Sequence, residues 1–211
     1  MDAACRYAEL LATDGILRGL LGPREGERIW ERHLLNSAVV AGLIPDGSRV
    51  IDIGSGAGLP GIPVALARPK ARVVLVEPLE RRCTFLAEVV AELGLGDRVS
   101  VVRGRAPEVR SALPFLADYA LARAVAPLER LVSWTMPVVQ PGGELLALRG
   151  ARAEQELHEA GPGLARHGAG ASEVVEIGAD LLGAPVRVVR VPRRLAVQRE
   201  GDLRVRGRKR R

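Results

Sequence analysis

Lysine is almost missing from this chain: of its 31 cations only Lys70 and Lys209 are lysine, and the rest are arginine. Cysteine is scarce too, with Cys5 and Cys83 far apart and outside any C-x-x-C spacing, which argues against a zinc site or a disulfide framework. No apolar run approaches the length of a membrane span, and the N-terminus lacks the basic-then-apolar pattern of a signal peptide, so no membrane partner and a cytoplasmic location are expected. Internal repeats and low-complexity tracts are absent as well. Of the three histidines, His158 and His167 stand near a glycine-rich break and carry no usable signal, so no metal is expected. What remains is 211 residues, enough for one domain with a full core.

The charge is unevenly placed. From Arg193 to Arg211 nine cations face only Glu200 and Asp202, a balance of +7 in a chain whose total is +6, so the first 192 residues come to −1. This is a basic arm on a near-neutral body. Its cations are almost all arginine, whose planar fork suits phosphate, and such an arm reads as a salt-sensitive nucleic-acid contact. The bland alternative is a solubility tail. The expected division is a helical region over 1–45, an α/β domain over 46–192 and the arm over 193–211.

The stretch Arg49 to Gly61, RVIDIGSGAGLPG, is the most informative segment. Val50, Ile51 and Ile53 predict a strand buried on both faces of a parallel sheet. Gly54, Gly56 and Gly58 then let the backbone turn sharply beside a ligand. Pro60 suits a first helical position, and Pro69 stops that helix after Arg68. Counted as G-x-G-x-x-G from Gly54, the third place falls on Leu59; counted from Gly56 it falls on Gly61. The glycines alone leave the ligand open. A second run, Arg72 to Glu77, ends in a carboxylate 23 positions after Gly54, where an acid accepts hydrogen bonds from ribose hydroxyls. Turn and acid together favour a nucleoside without separating a nicotinamide cofactor from S-adenosylmethionine.

Elsewhere the pattern alternates. Glu25 to Leu43 carries Ile29, Trp30, His33, Leu34, Ala38 and Ala41 at helical spacing. Pro78 opens a helix with the stripe Leu79, Cys83, Leu86, Val90 and Leu93, ended by Gly94 and Gly96. Val99 to Val102 is a third strand, leading into Gly104 to Ala106, and Tyr119 to Ala122 is a fourth, with Arg123 at its end. Pro127 begins a helix through Met136. Gly142 and Gly143 turn into a strand from Glu144 to Leu148, and a helix from Arg152 to His158 is broken by Gly161, Pro162 and Gly163. Val174 to Ile177 and Val186 to Val191 are strands with no helix between them. Five β-α units and a closing strand pair predict a Rossmann-like α/β fold: an open, mostly parallel seven-stranded sheet with a terminal antiparallel pair. Its ligand belongs at the carboxyl ends of the strands, where the glycine turn, Glu77, Ala106 and Arg123 fall. The closing pair favours a methyltransferase over a dehydrogenase.

E-R-H-L-L-N-S at 31–37, D-I-G-S-G-A-G-L-P-G-I-P at 52–63, A-R-A-V-A-P-L at 122–128, and P-G-G followed by L-R-G at 141–150 resemble the RsmG (GidB) family. These are small-subunit ribosomal RNA guanine-N7 methyltransferases, and the resemblance spans about residues 25 to 195. It implies S-adenosyl-L-methionine as cofactor and a guanine in a decoding-region loop of 16S rRNA, naked or in a small-subunit particle, as substrate for a monomer. By position it implies cofactor contacts at Gly54, Gly56, Leu59, Glu77, Ala106, Pro107 and Arg123, with Arg123 also at the methyl-transfer region. Arg32, His33, Arg149, Arg193, Arg194, Arg208 and Arg210 are the expected RNA contacts. Asn36 stands where the family usually has aspartate, Arg149 where it has lysine, and Pro107, which cannot donate a backbone hydrogen bond, where it often has glutamate. Glu108 is the acid beside it.

The missing machinery fits this chemistry. Guanine N7 carries an exposed lone pair and attacks a sulfonium methyl with no proton to remove, so positioning is the enzyme's task. A cytosine-C5 methyltransferase needs a catalytic cysteine, and neither Cys5 nor Cys83 falls in a predicted ligand loop. An exocyclic-amine methyltransferase carries an acid or amide before two prolines and an aromatic after strand four, where this chain has Ala122-Arg123-Ala124. A small-molecule or protein methyltransferase would share the turn and Glu77 without needing the arm. A non-catalytic RNA-binding module would need the arm without an intact cofactor site.

Overall fold

The computed structural model describes residues 2–195. Seven strands form one sheet: β1 Arg49–Ile53, β2 Arg72–Glu77, β3 Val99–Arg103, β4 Ala117–Arg123, β5 Val139–Arg149, β6 Glu173–Ile177 and β7 Val186–Pro192, in the order β3-β2-β1-β4-β5-β7-β6. The pairs from β3 through to β5 are parallel, while β5 with β7 and β7 with β6 are antiparallel. Strand order reverses between β2 and β4, on either side of β1, which opens a crevice at the carboxyl end of β1.

The apolar runs are explained by burial on both faces. Val50, Val73, Leu75, Leu146 and Val188 join one core, and Ile51, Val74, Val76, Leu145 and Val189 the other, alternating along each strand. The first core is closed by α1 Ala3–Leu10, by the turns up to Leu43 that include α2 Asn36–Ala38, and by α3 Gly61–Ala67 and α4 Glu80–Glu92. The second is closed by α5 Leu128–Thr135 and α6 Ala153–Leu164.

Several elements differ from their sequence expectation, each for a local reason. The segment predicted as one helix from Glu25 to Leu43 winds in different pitches: a 3₁₀ turn Pro23–Arg28, a π turn Ile29–Leu35, α2, and a 3₁₀ turn Val39–Leu43. The wider π turn breaks the 3.6-residue spacing, so Ile29, His33 and Leu34 face inward while Trp30 is 43% exposed. Pro60 takes the cap position of α3 and Gly61 the first helical place, where the Gly61 N–H donates to Asp52. On α4 the buried stripe is Phe85, Leu86, Val89 and Val90, and Leu79, whose N–H caps Glu77, stays half exposed.

The crossover from β3 to β4 is a 3₁₀ turn, Glu108–Ala112, so one of the five expected β-α units lacks an α-helix; Pro107 and Pro114 bracket it. β5 starts at Val139, ahead of the glycines, and absorbs them in a register shift between Ala117 and Tyr119 of β4. α6 passes through Pro162 to Leu164, since proline gives up only its own N–H, and Gly163 lets the helix approach Glu129 of α5. A short helix, α7 Ala179–Leu182, stands between β6 and β7.

Candidate functional site

A cavity of about 780 Å³ opens at the carboxyl ends of β1, β2 and β4. Gly54, Ser55, Gly56, Leu59, Glu77, Arg82, Ala106, Pro107, Glu108 and Arg123 all line it, so the residues expected at the cofactor converge. Gly54 and Gly56 have φ of +69° and +58°, a left-handed conformation costly for residues with a Cβ. At Gly54 an added Cβ would also lie 3.0 Å from both Val125 methyl carbons. The Gly54 N–H donates to the Val76 carbonyl at 2.8 Å, closing the end of β1 onto β2.

Glu77 is 1% exposed and its carboxylate spans the turn. One oxygen accepts from the Gly56 N–H at 3.0 Å and the other from the Leu79 N–H at 3.1 Å, with an Arg82 Nη1 at 3.8 Å. The alternative of a solvated strand-end glutamate does not apply. Each oxygen keeps a lone pair beyond its backbone donor, which is what ribose hydroxyls require.

Asp52, part of the glycine-turn motif but assigned no role by the sequence, lies fully buried beneath the turn. Its Oδ2 accepts from the Gly61 N–H at 3.0 Å, and its Oδ1 has no hydrogen-bond partner among the described residues. Burial, with the nearby Glu77 charge adding to it, pushes its pKa up to about 7. Gly61 is required here by space: an added Cβ would fall 2.5 Å from Leu75 Cδ2 and 2.7 Å from Asp52 Oδ2.

Ala106 is buried and Pro107 exposed at one end of the cavity, followed by Glu108. Into the same cavity α5 contributes Arg130 and Trp134, the guanidinium carbon 4.8 Å from the ring centroid. Sequence reasoning misses this pair, although its i,i+4 spacing on a predicted helix is the signal that could find it.

Arg123 reaches the cavity from the end of β4. Its Nη1 donates to Ser37 Oγ at 3.1 Å, its Nη2 donates to the Arg32 carbonyl at 3.0 Å, and the same Nη2 lies 3.3 Å from His33 Nδ1. Burial, with Arg32 nearby, lowers its pKa from the usual arginine value. No carboxylate pairs with it among the described residues, so the structural ion pair considered for a strand-end arginine is not what holds it. Next to it Ala124 has φ +51°, in a region sparsely populated by residues with a Cβ.

The expected RNA contacts scatter. Arg32 is exposed and paired with Glu25 at 3.2 Å, and His33 is buried against the same carboxylate. Arg149 has a side chain only 7% exposed, donating to the Ala126 carbonyl at 2.9 Å with Glu156 at 3.6 Å. It borders a second cleft of about 500 Å³ that shares Ala124 to Pro127 with the first. In this position it braces the loop that follows Arg123. Arg193 and Arg194 lie at the opposite end of the sheet from the cavity: the Arg193 N–H donates to the Gly143 carbonyl, and its guanidinium to the carbonyl of Val139, where β5 begins. Arg208 and Arg210 lie outside the described residues. Within those residues no group of three or more His, Cys, Asp or Glu is arranged to hold a metal, and no helix is long and apolar enough to cross a membrane.

Comparison with known proteins places this geometry in a family. Residues 1–181 match the model of GidB, described as rRNA small subunit methyltransferase G. The Frankia casuarinae protein named ribosomal RNA small subunit methyltransferase G is 55% identical over 192 residues, 90% of this chain and 72% of that one. The Mycobacterium leprae protein of the same name is 55% identical over 191 residues, covering 90% and 77%. In fold, Aeropyrum pernix fibrillarin, solved with natively bound S-adenosyl-L-methionine, aligns with a TM-score of 0.56 at 20% identity over 76% of this chain and 75% of that one.

Proposed function

The chain belongs to the rRNA small subunit methyltransferase G family, and on that premise we propose that it transfers the methyl group of S-adenosylmethionine to N7 of a guanine in a decoding-region loop of 16S rRNA. The observation that carries the reading is the buried Glu77 carboxylate, tied to the Gly56 and Leu79 N–H groups on the floor of the cavity.

The residues present fit the cofactor. Glu77 has acceptor capacity left for ribose hydroxyls, and Gly54 and Gly56 offer backbone without a Cβ at the turn. Leu59 and Ala106 supply apolar wall, and Pro107 contributes a ring surface in place of a backbone donor. Arg123, a cation with no carboxylate partner among the described residues, suits the cofactor's carboxylate. When bound, the cofactor supplies an electrophilic sulfonium methyl. Everything else the chain does is positioning: it holds donor and base in line and excludes water, and such alignment is worth several kcal/mol of barrier, up to roughly 7–11 in well-oriented systems. Guanine N7 has no proton to lose, so the reaction needs no general base. Among the described residues neither cysteine lines the cavity, which accords with direct attack.

The substrate would be 16S rRNA or a small-subunit particle in the cytoplasm, approached by a monomer whose basic arm adds phosphate contacts. We take 46–192 as the catalytic unit, with the preceding segment supplying lining through Leu20, Leu21 and His33. The test is transfer of labelled methyl from S-adenosylmethionine to ribosomal RNA from a strain lacking this activity. Label confined to 16S rRNA is expected; label in a small metabolite or protein, with none in RNA, would overturn the reading.

A further inference from the structure

Among the described residues Arg123 has no carboxylate partner and is held in one orientation, and the means of holding it reach beyond the cavity. Its three hydrogen-bond partners among the described residues lie on the N-terminal segment: Ser37 Oγ, the Arg32 carbonyl and His33 Nδ1. His33 is 8% exposed, and its other ring nitrogen, Nε2, lies 2.6 Å from Glu25 Oε2 on the preceding 3₁₀ turn.

Proton placement follows from this chain of contacts. His33 lowers the Glu25 pKa, so the carboxylate is ionised and only accepts. The proton of a neutral His33 is therefore on Nε2, leaving the Nδ1 lone pair to accept from the Arg123 guanidinium. Burial holds the His33 pKa below its usual value, with Arg123 and Arg32 adding to this while Glu25 opposes it.

We propose that Glu25 and His33 are positioning residues: Glu25 fixes the tautomer of His33, and His33 together with Ser37 aims Arg123 into the cofactor cavity. The proposal rests on the reading of Arg123 as a contact to the methyl donor. Protonation of His33 at Nδ1 replaces an acceptor with a donor facing a guanidinium. Cofactor affinity then falls on the acid side.

The charged and titratable groups around the relay are known from each element packed against it. Glu25 and Arg28 come from the 3₁₀ turn, Arg32 from the π turn that carries His33, and Arg123 from β4. Tyr7 of α1 faces both Arg123 and Asp52. Asp52, its pKa pushed up to about 7 by burial, also titrates between pH 5 and 8, so the variants separate the share that belongs to His33.

The test is calorimetric binding of S-adenosylhomocysteine between pH 5 and 8 by the full-length wild type, His33→Leu, His33→Asn and Glu25→Gln. Leucine removes the acceptor, whereas the asparagine Oδ1 restores one near the Nδ1 position and cannot titrate. His33→Leu should weaken binding on the order of tenfold or more at pH 8, by the sensitivity of such sites to misplacement. His33→Asn should recover most of that loss and remove the part of the acid-side weakening that belongs to His33. Glu25→Gln should move that limb to lower pH, because the carboxylate that raises the His33 pKa is gone. Wild-type affinity in His33→Leu, or a His33→Asn as weak as His33→Leu with the wild-type pH profile retained, would overturn the relay alone. No binding by the wild type would overturn the cofactor reading, and the relay with it.

Discussion

At the scale of single residues, the site is built from groups buried for a purpose other than packing. Glu77 is the sharpest case. Glu77→Ala leaves the Gly56 and Leu79 N–H groups unpaired and removes the proposed ribose acceptor. At about 1.5–3 kcal/mol per charge-assisted hydrogen bond, S-adenosylhomocysteine affinity should fall at least tenfold to a hundredfold by calorimetry. Asp52 predicts a pH effect on stability. Its folded pKa, about 7, lies above the ordinary 3.8, so the folded state binds the extra proton between those values and stability falls as pH rises through that window. The limiting slope is about 1.4 kcal/mol per pH unit. Asp52→Asn keeps an acceptor for the Gly61 N–H and cannot ionise; its melting temperature should vary less with pH between 4 and 7 and exceed the wild type's at pH 8. A parallel pair of melting curves would exclude this account. Glu77 is legible in the sequence because an acid at a strand end has a specific place in doubly wound folds. Asp52 is not, since its role depends on a Gly61 N–H nine positions away that only the folded turn brings to it. Arg149 is expected as an RNA contact because it stands where the resembled family usually has lysine; its burial beside the Ala126 carbonyl is invisible without the fold.

At the scale of elements, β1, the glycine turn, α3 and β2 form the unit that makes the site, and its tolerances are tight. Gly61→Ala forces a Cβ to within 3 Å of both Leu75 and Asp52. A cost of about 1–3 kcal/mol is expected for such overpacking, with a drop in melting temperature of roughly 2–4 °C per kcal/mol for a domain of this size. Gly42→Ala, where an added Cβ meets nothing within 4 Å, serves as the control and should melt near the wild type. β1 and β2 are readable because double burial makes their apolar runs continuous, and the bounds of β2 fall where the sequence places them. The N-terminal turns are not readable as such, because 3₁₀ and π pitches shift faces away from the 3.6-residue period. Pro162 makes α6 look shorter in sequence than it is, although a proline near the end of a helix forfeits a single hydrogen bond and Gly163 eases the close approach to Glu129 of α5.

At the scale of the whole molecule, charge and topology are separated. The near-neutral body carries the cavity at the carboxyl ends of β1, β2 and β4, while the chain enters its basic segment at Arg193, at the other end of the sheet. Deleting 199–211 removes seven cations and two acids and keeps every described residue that lines the cavity. S-adenosylhomocysteine affinity should stay within about twofold, and the salt dependence of 16S rRNA binding should flatten in proportion to the number of phosphates the segment neutralises. An unchanged salt slope would assign the segment to solubility instead.

The identity of the modified atom is tested by methylating 16S rRNA from a strain lacking this activity and mapping the product by cleavage specific for N7-methylguanine. Cleavage at a single guanine in a decoding-region loop, absent when Arg123→Ala replaces the wild type, is the predicted result. Methyl transfer into 16S rRNA at any other atom, leaving that cleavage pattern blank, would contradict it.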